Sequence, residues 1–336
     1  MLVLLWGVGT EQPLAAVRKE LRTLGVPAFE LDQRDAPQTG IELDVGHGVE
    51  GEIRVRERRI DLAEITAAYL RPYDLARADG EARKRTVEHA MMCWSMITPA
   101  LVVNRPQAMA ANDSKPYQME QIRKLGFRVP ETLLTTDPDA ARDFWEQHGD
   151  VIYKSVSGTR SIVSRLRPAH AGRLADVSHC PTQFQEYVPG TDYRVHVAGD
   201  ELFASKILCR ADDYRYPAWH RVEIRACRLP EEVEARCSHL ADATRLPVAG
   251  IDLRRTPDGE WYCFEVNPSP AFTYYESRTG QPIGRAIARF LAAGTRGAPE
   301  PAQTDIANEG QSPRNPGTRV MACATGSGAT NGGACR

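Results

Sequence analysis

The sequence predicts a small α/β domain, then a larger α+β unit with antiparallel strand pairs covered by helices, then a polar tail. Three observations carry that prediction. Residues 1–103 alternate short apolar runs with helical stretches; residues 104–296 hold short strands that recur in pairs with few helices between them; and from residue 297 onward there is no aromatic residue at all. The second region divides at 104–182 and 183–296.

Composition limits the function classes. The 336 residues carry 42 Lys+Arg against 44 Asp+Glu, so 42 − 44 = −2, and nothing suggests a general binder of nucleic acid or another polyanion. Hydrophobic residues at 42% and charged residues at 26% are ordinary for a globular chain, which excludes fibrous and wholly disordered classes. The longest weakly polar run, Ala90 to Val103, is broken by Ser95, Thr98 and Pro99 and falls short of the roughly 20 residues a membrane helix needs. The opening MLVLLWGVG has no Lys or Arg before it and no clear cleavage site after it, so it reads as a buried strand rather than a signal core. Eight cysteines are scattered with no C-x-x-C pair, which fits inert thiols in a reducing cytoplasm.

Taken in order, Leu2 to Trp6 is a strand, Pro13 to Leu24 a helix stopped by Gly25, and Pro27 to Leu31 a second strand. Glu52 to Ile60 alternates as one exposed strand, and Ala67 to Leu70 is a short apolar run ending in Arg71-Pro72. A helix carrying Val87, Met91, Trp94 and Met96 precedes a buried strand, Leu101 to Val103. The next helix is well marked: Ser114 as N-cap, Pro116 in the first turn, Tyr117, Ile122 and Leu125 at helical spacing, and Gly126 at the end. Strands follow at Val151–Lys154, Ile162–Leu166, Phe184–Val188, Tyr193–Val197 and Leu202–Ile207. A helix at Glu231–Thr244, a hairpin of Ile251–Leu253 with Trp261–Val266, and a helix at Ile283–Ala292 complete the unit. In the tail, 29 of the 40 residues from Gly297 to Arg336 are Gly, Ala, Pro, Ser, Thr, Asn or Gln. Such a stretch cannot bury enough apolar area to offset its ordering entropy, so it is expected to be disordered, with Cys323 and Cys335 incidental.

The strongest local signal is the hairpin GIDLRRTPDGEWYCFEVNPSP. Thr256-Pro257-Asp258-Gly259 fits a type I turn. Strand period puts Tyr262, Phe264 and Val266 on an apolar face and Cys263, Glu265 and Asn267 on the other. A turn with two central residues would set Asp252 opposite Cys263 and diagonal to Glu265, close enough for one cation to bridge the carboxylates. Two carboxylates and an amide oxygen are a hard-oxygen set suited to Mg²⁺ completed by water and phosphates; the alternative is a solvated strand face. Lys115 opens a helix, where the macrodipole disfavours a cation unless something anionic, such as a phosphate, lies nearby; the alternative is a chance surface lysine. Lys154 ends an apolar strand before the small polar loop Ser155 to Ser161. No Walker G-K-[ST] or Rossmann G-x-G-x-x-G is present.

Beside these stands QEYVPGTDYRV, a strand, turn and strand. In this order the segments NDSKPYQMEQIRKLGFRVPET, VIYKSVSGTRS, QEYVPGTDYRV and the hairpin resemble the ATP-grasp superfamily, over about Asn104 to Leu291. The phrases AAYLRPYD, VVNRPQAMAANDSK, VPETLLTTDP, GDELFASKI and FEVNPSPAFTYYESRTGQPIGRAIARFLA are similar to RimK-type ligases and, more closely, to the microviridin-type peptide-modifying ligases, or graspetide synthetases. The resemblance implies a pre-ATP-grasp domain over 1–103 and an ATP-grasp fold whose antiparallel sheets sandwich the nucleotide. It implies ATP and Mg²⁺, two ions by the family pattern, as cofactors. Lys115 and Lys154 would contact phosphates, Glu186, Tyr187 and Val188 would form the adenine hinge, Asp192 would meet the ribose, and Asp252, Glu265 and Asn267 would hold the metal. Arg194 resembles the arginine that stabilises transferred phosphate, with Lys154 its catalytic companion. Lys206 is either phosphate-facing or solvated.

The activity so implied is ADP-forming ligation: a carboxylate takes the γ-phosphate of ATP as an acylphosphate, and an amine or hydroxyl then displaces phosphate. The acceptor expected is an acidic, ribosomally made peptide or an amino acid, held by Arg71, His220 and Arg221, although each of these reads equally as structural. Trp219 and Trp261 read as packing residues. A homodimer is compatible with the resemblance, and neither nucleic acid nor membrane is expected as a partner. The other classes open to the same site are amino-acid ligation of the RimK kind, a phosphotransferase, and a regulatory nucleotide binder without catalysis. The glycine-poor phosphate loop, the tail and the segment Cys209 to Val222 depart from the family pattern.

Overall fold

The run LVLLWG forms β1 (Leu2–Gly7), buried from Val3 through Trp6, as a central parallel strand covered on both faces must be. In the computed structural model, which describes residues 2–46, 49–73, 82–155, 163–209 and 222–294, β1 is followed by α1 (Gln12–Thr23) and β2 (Ala28–Asp32). Helix α1 begins with Pro at its first turn and turns Leu14, Val17 and Leu21 inward, at spacings of three and four. A three-stranded antiparallel sheet, β3 (Thr39–Asp44), β4 (Glu50–Val55) and β5 (Arg58–Asp61), intervenes before β6 (Ile65–Arg71), α2 (Ala82–Ile97) and β7 (Leu101–Val103). Where one strand was expected over Glu52–Ile60, β4 and β5 reverse at Arg56, whose φ is 55°. Strands β2, β1, β6 and β7 pair in that order, all parallel.

Next come α3 (Pro106–Met109), α4 (Lys115–Lys124), β8 (Thr132–Thr135), which belongs to a four-stranded antiparallel sheet, and α5 (Pro138–His148). With β9 (Val151–Ser155), β10 (Ser164–Arg165) and β11 (Thr182–Glu186), the antiparallel order is β10-β9-β11-β8. The fourth sheet is five-stranded and antiparallel, β14-β13-β12-β15-β16, from β12 (Thr191–Ala198), β13 (Glu201–Leu208), β14 (Glu223–Cys227), β15 (Val248–Arg255) and β16 (Trp261–Asn267). Helices α6 (Glu231–Ala243), α7 (Thr273–Thr279) and α8 (Ile283–Ala293) complete the chain.

Two cores flank this sheet. One face packs Val195, Leu253 and Cys263 against Val233, Cys237 and Leu240 of α6 and Ile122 of α4. The other sends Ala198, Phe203 and Ile207 toward Ile287 and Leu291 of α8, which also cover α1 and β1. Because α8 touches both sheets, it fixes the parallel sheet against the five-stranded one. The polar tail from 297, the loop 156–161, Trp219, His220 and Arg221 lie outside the described residues.

Candidate functional site

The hairpin between β15 and β16 sets the geometry. Gly259, with φ 97°, donates its N–H to Thr256 O at 3.0 Å, and Thr256 N donates to Glu260 O at 2.9 Å. Three residues, Pro257, Asp258 and Gly259, therefore lie inside the closing pair: a type I turn plus one left-handed residue rather than the two-residue turn expected. A second one-residue shift falls between Asp252 and Leu253, so that Leu253 pairs with Cys263 while Asp252 pairs with Glu265. Phe264 is the extra residue, a β-bulge. The two shifts add. Glu265 sits directly opposite Asp252 instead of diagonally, and Cys263 opposite Leu253. The bulge also exchanges the faces: Trp261, Cys263 and Val266 are buried, while Tyr262 and Phe264, expected on the apolar side, are half-buried.

Asp252 is flanked on its other side by Arg194, its direct partner on β12, whose Nη1 donates to Asp252 Oδ1 at 2.6 Å. With its amide turned to satisfy both ends, Asn267 donates from Nδ2 to Glu265 Oε1 at 2.6 Å and accepts at Oδ1 from Arg194 Nη1 at 3.0 Å. Gly250, opposite Asn267, leaves the room this needs: a Cβ there would overlap the Arg194 guanidinium and stand 2.8 Å from Pro270 Cβ.

Helix α4 delivers Lys115 from its first residue, and Nζ donates to Glu265 Oε1 at 2.7 Å and to Asn112 Oδ1 at 2.9 Å. Ser114 occupies the N-cap in extended conformation, but its hydroxyl makes no cap hydrogen bond. Burial pushes the Glu265 carboxyl up; the charge and hydrogen bond of Lys115, then the charges of Lys154 and Arg194, outweigh it and hold the group below the usual carboxylate range. Lys154, opposite Gln183 on β11, thus acts on the same spot. Two acids and an amide converge where three cationic side chains already lean in. That donor set is hard and suits Mg²⁺. Among the described residues no group of three or more His, Cys, Asp or Glu could hold a metal alone, so the fit relies on the Asn267 amide and on water or phosphate oxygens.

The RimK-like ATP-grasp domain family matches residues 112–291, more than half of the chain and the stretch that contains all of these side chains. This chain belongs to the RimK-like ATP-grasp family. Among curated relatives, β-citrylglutamate synthase B of Danio rerio is 26% identical over 204 residues, 56% of this chain but 50% of the relative, so the chain spans about half the length of that protein. Among solved structures, the ATP-grasp ligase PsnB, complexed with a phosphomimetic variant of a minimal precursor, Mg and ADP, has TM-score 0.75 and 27% identity, covering 88% of this chain and 98% of that one. Macrocyclase MdnC of Microcystis aeruginosa MRC, bound with precursor peptide MdnA, shows the same fold at TM-score 0.75 and 23% identity, covering 87% and 100%.

The fold confirms the superfamily architecture, antiparallel sheets behind a domain with a parallel sheet. Not every predicted ATP-grasp residue reaches the cluster. Lys206 pairs with Tyr193, on the face packed against α6, whereas Arg194 and Asp252 share the opposite face, so strand parity turns Lys206 away from the acids. Arg71 is buried and committed: Nε donates to both carboxylate oxygens of Glu11 at 2.7 Å, and Nη1 donates to Pro270 O at 3.2 Å. It is a neutralised pair joining β6 to the segment after β16, not a fork open to a carboxylate. Val188 and Asp192 are both held by Arg254, and Tyr187 lies beneath Arg165, whose Cζ is 3.5 Å from the ring centroid. Glu186 Oε2 lies 3.9 Å from His148 Nδ1.

Sequence reasoning missed Arg254, Gln118, Asn104 and Glu11. Arg254 follows Asp252 by two, which in a strand means the same face, so that signal was available. Gln118 is one helical turn beyond Lys115, a second readable signal. Nothing local marks Asn104 or Glu11, whose partners lie far along the chain.

Proposed function

We propose that this chain is an ADP-forming ATP-grasp ligase that joins a carboxylate to an amine or hydroxyl through an acylphosphate. The observation that carries the reading is the meeting of Asp252, Glu265 and Asn267 with Arg194 and Lys115 at one point of the sheet face. In this reading residues 1–103 form the N-terminal domain and 104–182 and 183–296 the two lobes, with ATP between the four-stranded and the five-stranded antiparallel sheets. Mg²⁺ held by Asp252, Glu265 and Asn267 would screen phosphate charge. On nucleotide binding, Lys115 and Lys154 turn to the phosphates, and Arg194, already aligned by Asp252, faces the phosphoryl group in transfer. A substrate carboxylate oxygen attacks the γ-phosphorus and ADP leaves; the amine or hydroxyl then attacks the acyl carbon and phosphate leaves. Such chemistry depends on positioning and charge neutralisation rather than on a protein nucleophile.

A cleft of about 570 Å³, lined by Glu11, Arg71, Tyr73, Ser269, Thr273 and Tyr274, opens beside Pro270, which with Arg194 closes over Gly250. It lies at the carboxyl ends of β1 and β6, where the strand order of the parallel sheet reverses, the place such sheets bind ligands. We assign it to the acceptor. Its acid and base neutralise each other and Tyr73 and Tyr274 stand exposed, which suits a peptide segment better than a free charged amino acid. The name of the Danio rerio relative favours the second reading, amino-acid ligation.

The test is ADP formation with Mg²⁺ and ATP, comparing wild type and Glu265→Ala across free amino acids and small acidic peptides. Turnover that vanishes in the variant, with a peptide lighter by one water, supports peptide cyclisation. An acceptor that gains an amino-acid residue establishes the second reading instead. Wild type that binds no nucleotide with Mg²⁺ overturns both.

A further inference from the structure

The strand that carries Glu265 and Asn267 is the last of its sheet; Arg128 O accepts from Cys263 N at 2.9 Å on its outer side, and further along, at Val266, that side is gripped by a side chain. Gln118, 3% exposed, donates from Nε2 to Val266 O at 2.8 Å and accepts at Oε1 from Val266 N at 3.1 Å. A primary amide used this way imitates the next strand of a sheet, supplying the donor and acceptor that an edge residue otherwise leaves open. Val266 is the residue between the two expected ligands, and its own side chain is fully buried in the core beneath the sheet. The backbone at this point is thus held from two directions.

The same helix holds the other half of the site. Lys115 and Gln118 are three apart on α4, hence on one face, and they take hold of adjacent residues: Lys115 the Glu265 carboxylate at 2.7 Å, Gln118 the Val266 backbone. One turn of helix thereby sets the distance between a phosphate-facing cation and the metal-facing acids. A second buried amide, Asn104, donates to Pro268 O and to Val248 O at 2.6 Å, so the segment Glu265 to Pro268 is anchored at both ends.

We propose that Gln118 is a positioning residue: by clamping Val266 it fixes Glu265 and Asn267 for Mg²⁺ while their side chains exchange Lys115 and each other for the metal. The inference rests on the reading of those residues as metal ligands. Partners that orient a ligand from behind commonly change metal affinity by ten- to a hundred-fold when removed. Gln118→Met keeps the shape of the side chain and removes both hydrogen bonds. Ile122→Ala, in the same helix and the same core as Val266, loosens α4 and removes neither of the two hydrogen bonds that Gln118 makes to Val266.

Calorimetric titration of each full-length protein with ADP, at a series of Mg²⁺ concentrations and with none, separates the possibilities, with thermal unfolding recorded alongside. The expected result is a rise of about ten-fold or more in the Mg²⁺ needed to tighten ADP binding in Gln118→Met, with metal-free ADP affinity within about two-fold of wild type. Ile122→Ala should unfold at lower temperature and keep the wild-type Mg²⁺ dependence. Should Gln118→Met fail to fold, Gln118→Glu, which keeps the acceptor and loses the donor, is read by the same titration. Equal Mg²⁺ dependence in the Gln118 variant, Ile122→Ala and wild type reduces Gln118 to a packing residue and overturns the inference alone. Wild type that gains no ADP affinity from Mg²⁺ overturns the metal reading itself.

Discussion

Arg254 holds both carboxylate oxygens of Asp192, donating from Nε to Oδ1 at 2.6 Å and from Nη2 to Oδ2 at 3.0 Å, while its Nη1 donates to Val188 O at 2.8 Å. One guanidinium therefore ties the proposed ribose contact to the proposed hinge, and its Cζ lies over the rings of Phe264 and Tyr187 at 5.2 and 5.8 Å. A forked pair of this kind fixes the carboxylate in orientation as well as place. Arg254→Met should weaken ADP binding about ten-fold, since hydrogen bonds to charged groups contribute about 1.5–3 kcal/mol. Titration calorimetry reads this, and Arg254→Lys should recover only part of it. Unchanged affinity in both variants would show that Asp192 needs no such partner.

Gly250 offers a sharper test of Arg194. A methyl group at this position would overlap the guanidinium that bridges Asp252 and Asn267. Gly250→Ala should lower turnover about a hundred-fold, the scale on which small misplacements of a reacting group are felt. The strand itself should lose only about 1–3 kcal/mol to overpacking. Rates and urea unfolding on the same preparation check the pair of effects; a variant that loses stability but keeps its rate removes Arg194 from the chemistry.

Much of this arrangement was legible in the chain, and the illegible parts share a cause. The apolar strand β1, helix α1 with its early proline and terminal glycine, and the alternation of Ile251, Asp252 and Leu253 follow from local pattern, and the structure has them. The bulge at Phe264 does not show locally, because an aromatic residue suits a regular strand as well as a bulged one. It nevertheless decides which residue faces Asp252. Helix α5 was missed although Asp137-Pro138 caps it, Asp137 accepting from Asp139 N at 2.9 Å. Helix α7 is short and lacks a side-chain cap, so nothing announced it. For Lys206 and Arg71 the sequence left two readings open, and what bears on them is long-range: strand register across β12 and β13 in one case, a partner on a different element in the other.

His196 gives the fold a pH dependence. It is fully buried two residues from Arg194, its ring packs 4.9 Å from that of Tyr275, and neither ring nitrogen has a hydrogen-bond partner among the described residues. Burial, and then the Arg194 charge, push its pKa well below the ordinary histidine value, so the folded protein keeps it neutral. In the unfolded chain it titrates near about 6.5, and below that pH the unfolded state binds a proton the folded state refuses. Stability should therefore fall as pH drops through that value, by up to about 1.4 kcal/mol per unit from this residue. Urea midpoints of wild type and His196→Leu between about pH 5 and 8 isolate the contribution. The difference between the two curves should grow toward acid; a constant difference would mean that His196 protonates in the folded state.

Arg71 and Glu11 make the last prediction, because the sequence leaves Arg71 open between holding the acceptor and a structural role, and in the structure it pairs with Glu11. Both side chains are 8% exposed, and the pair joins the loop before α1 to β6 and, through Pro270, to the segment leaving β16. Breaking a buried pair from one side strands the other charge, at a cost of about 3–5 kcal/mol, whereas replacing both partners by groups of similar volume is often nearly neutral. Arg71→Met should therefore destabilise the protein strongly, and the addition of Glu11→Gln should restore most of the loss. The coupling measured by urea unfolding of the two single variants and the double should exceed about 1 kcal/mol. If the effects simply add, Arg71 does not depend on Glu11 and its guanidinium returns as a candidate for binding the acceptor. If they couple as expected, the double variant becomes the proper protein in which to ask whether the cleft beside Pro270 takes peptide, since it removes both charges from that wall and leaves Tyr73 and Tyr274 in place.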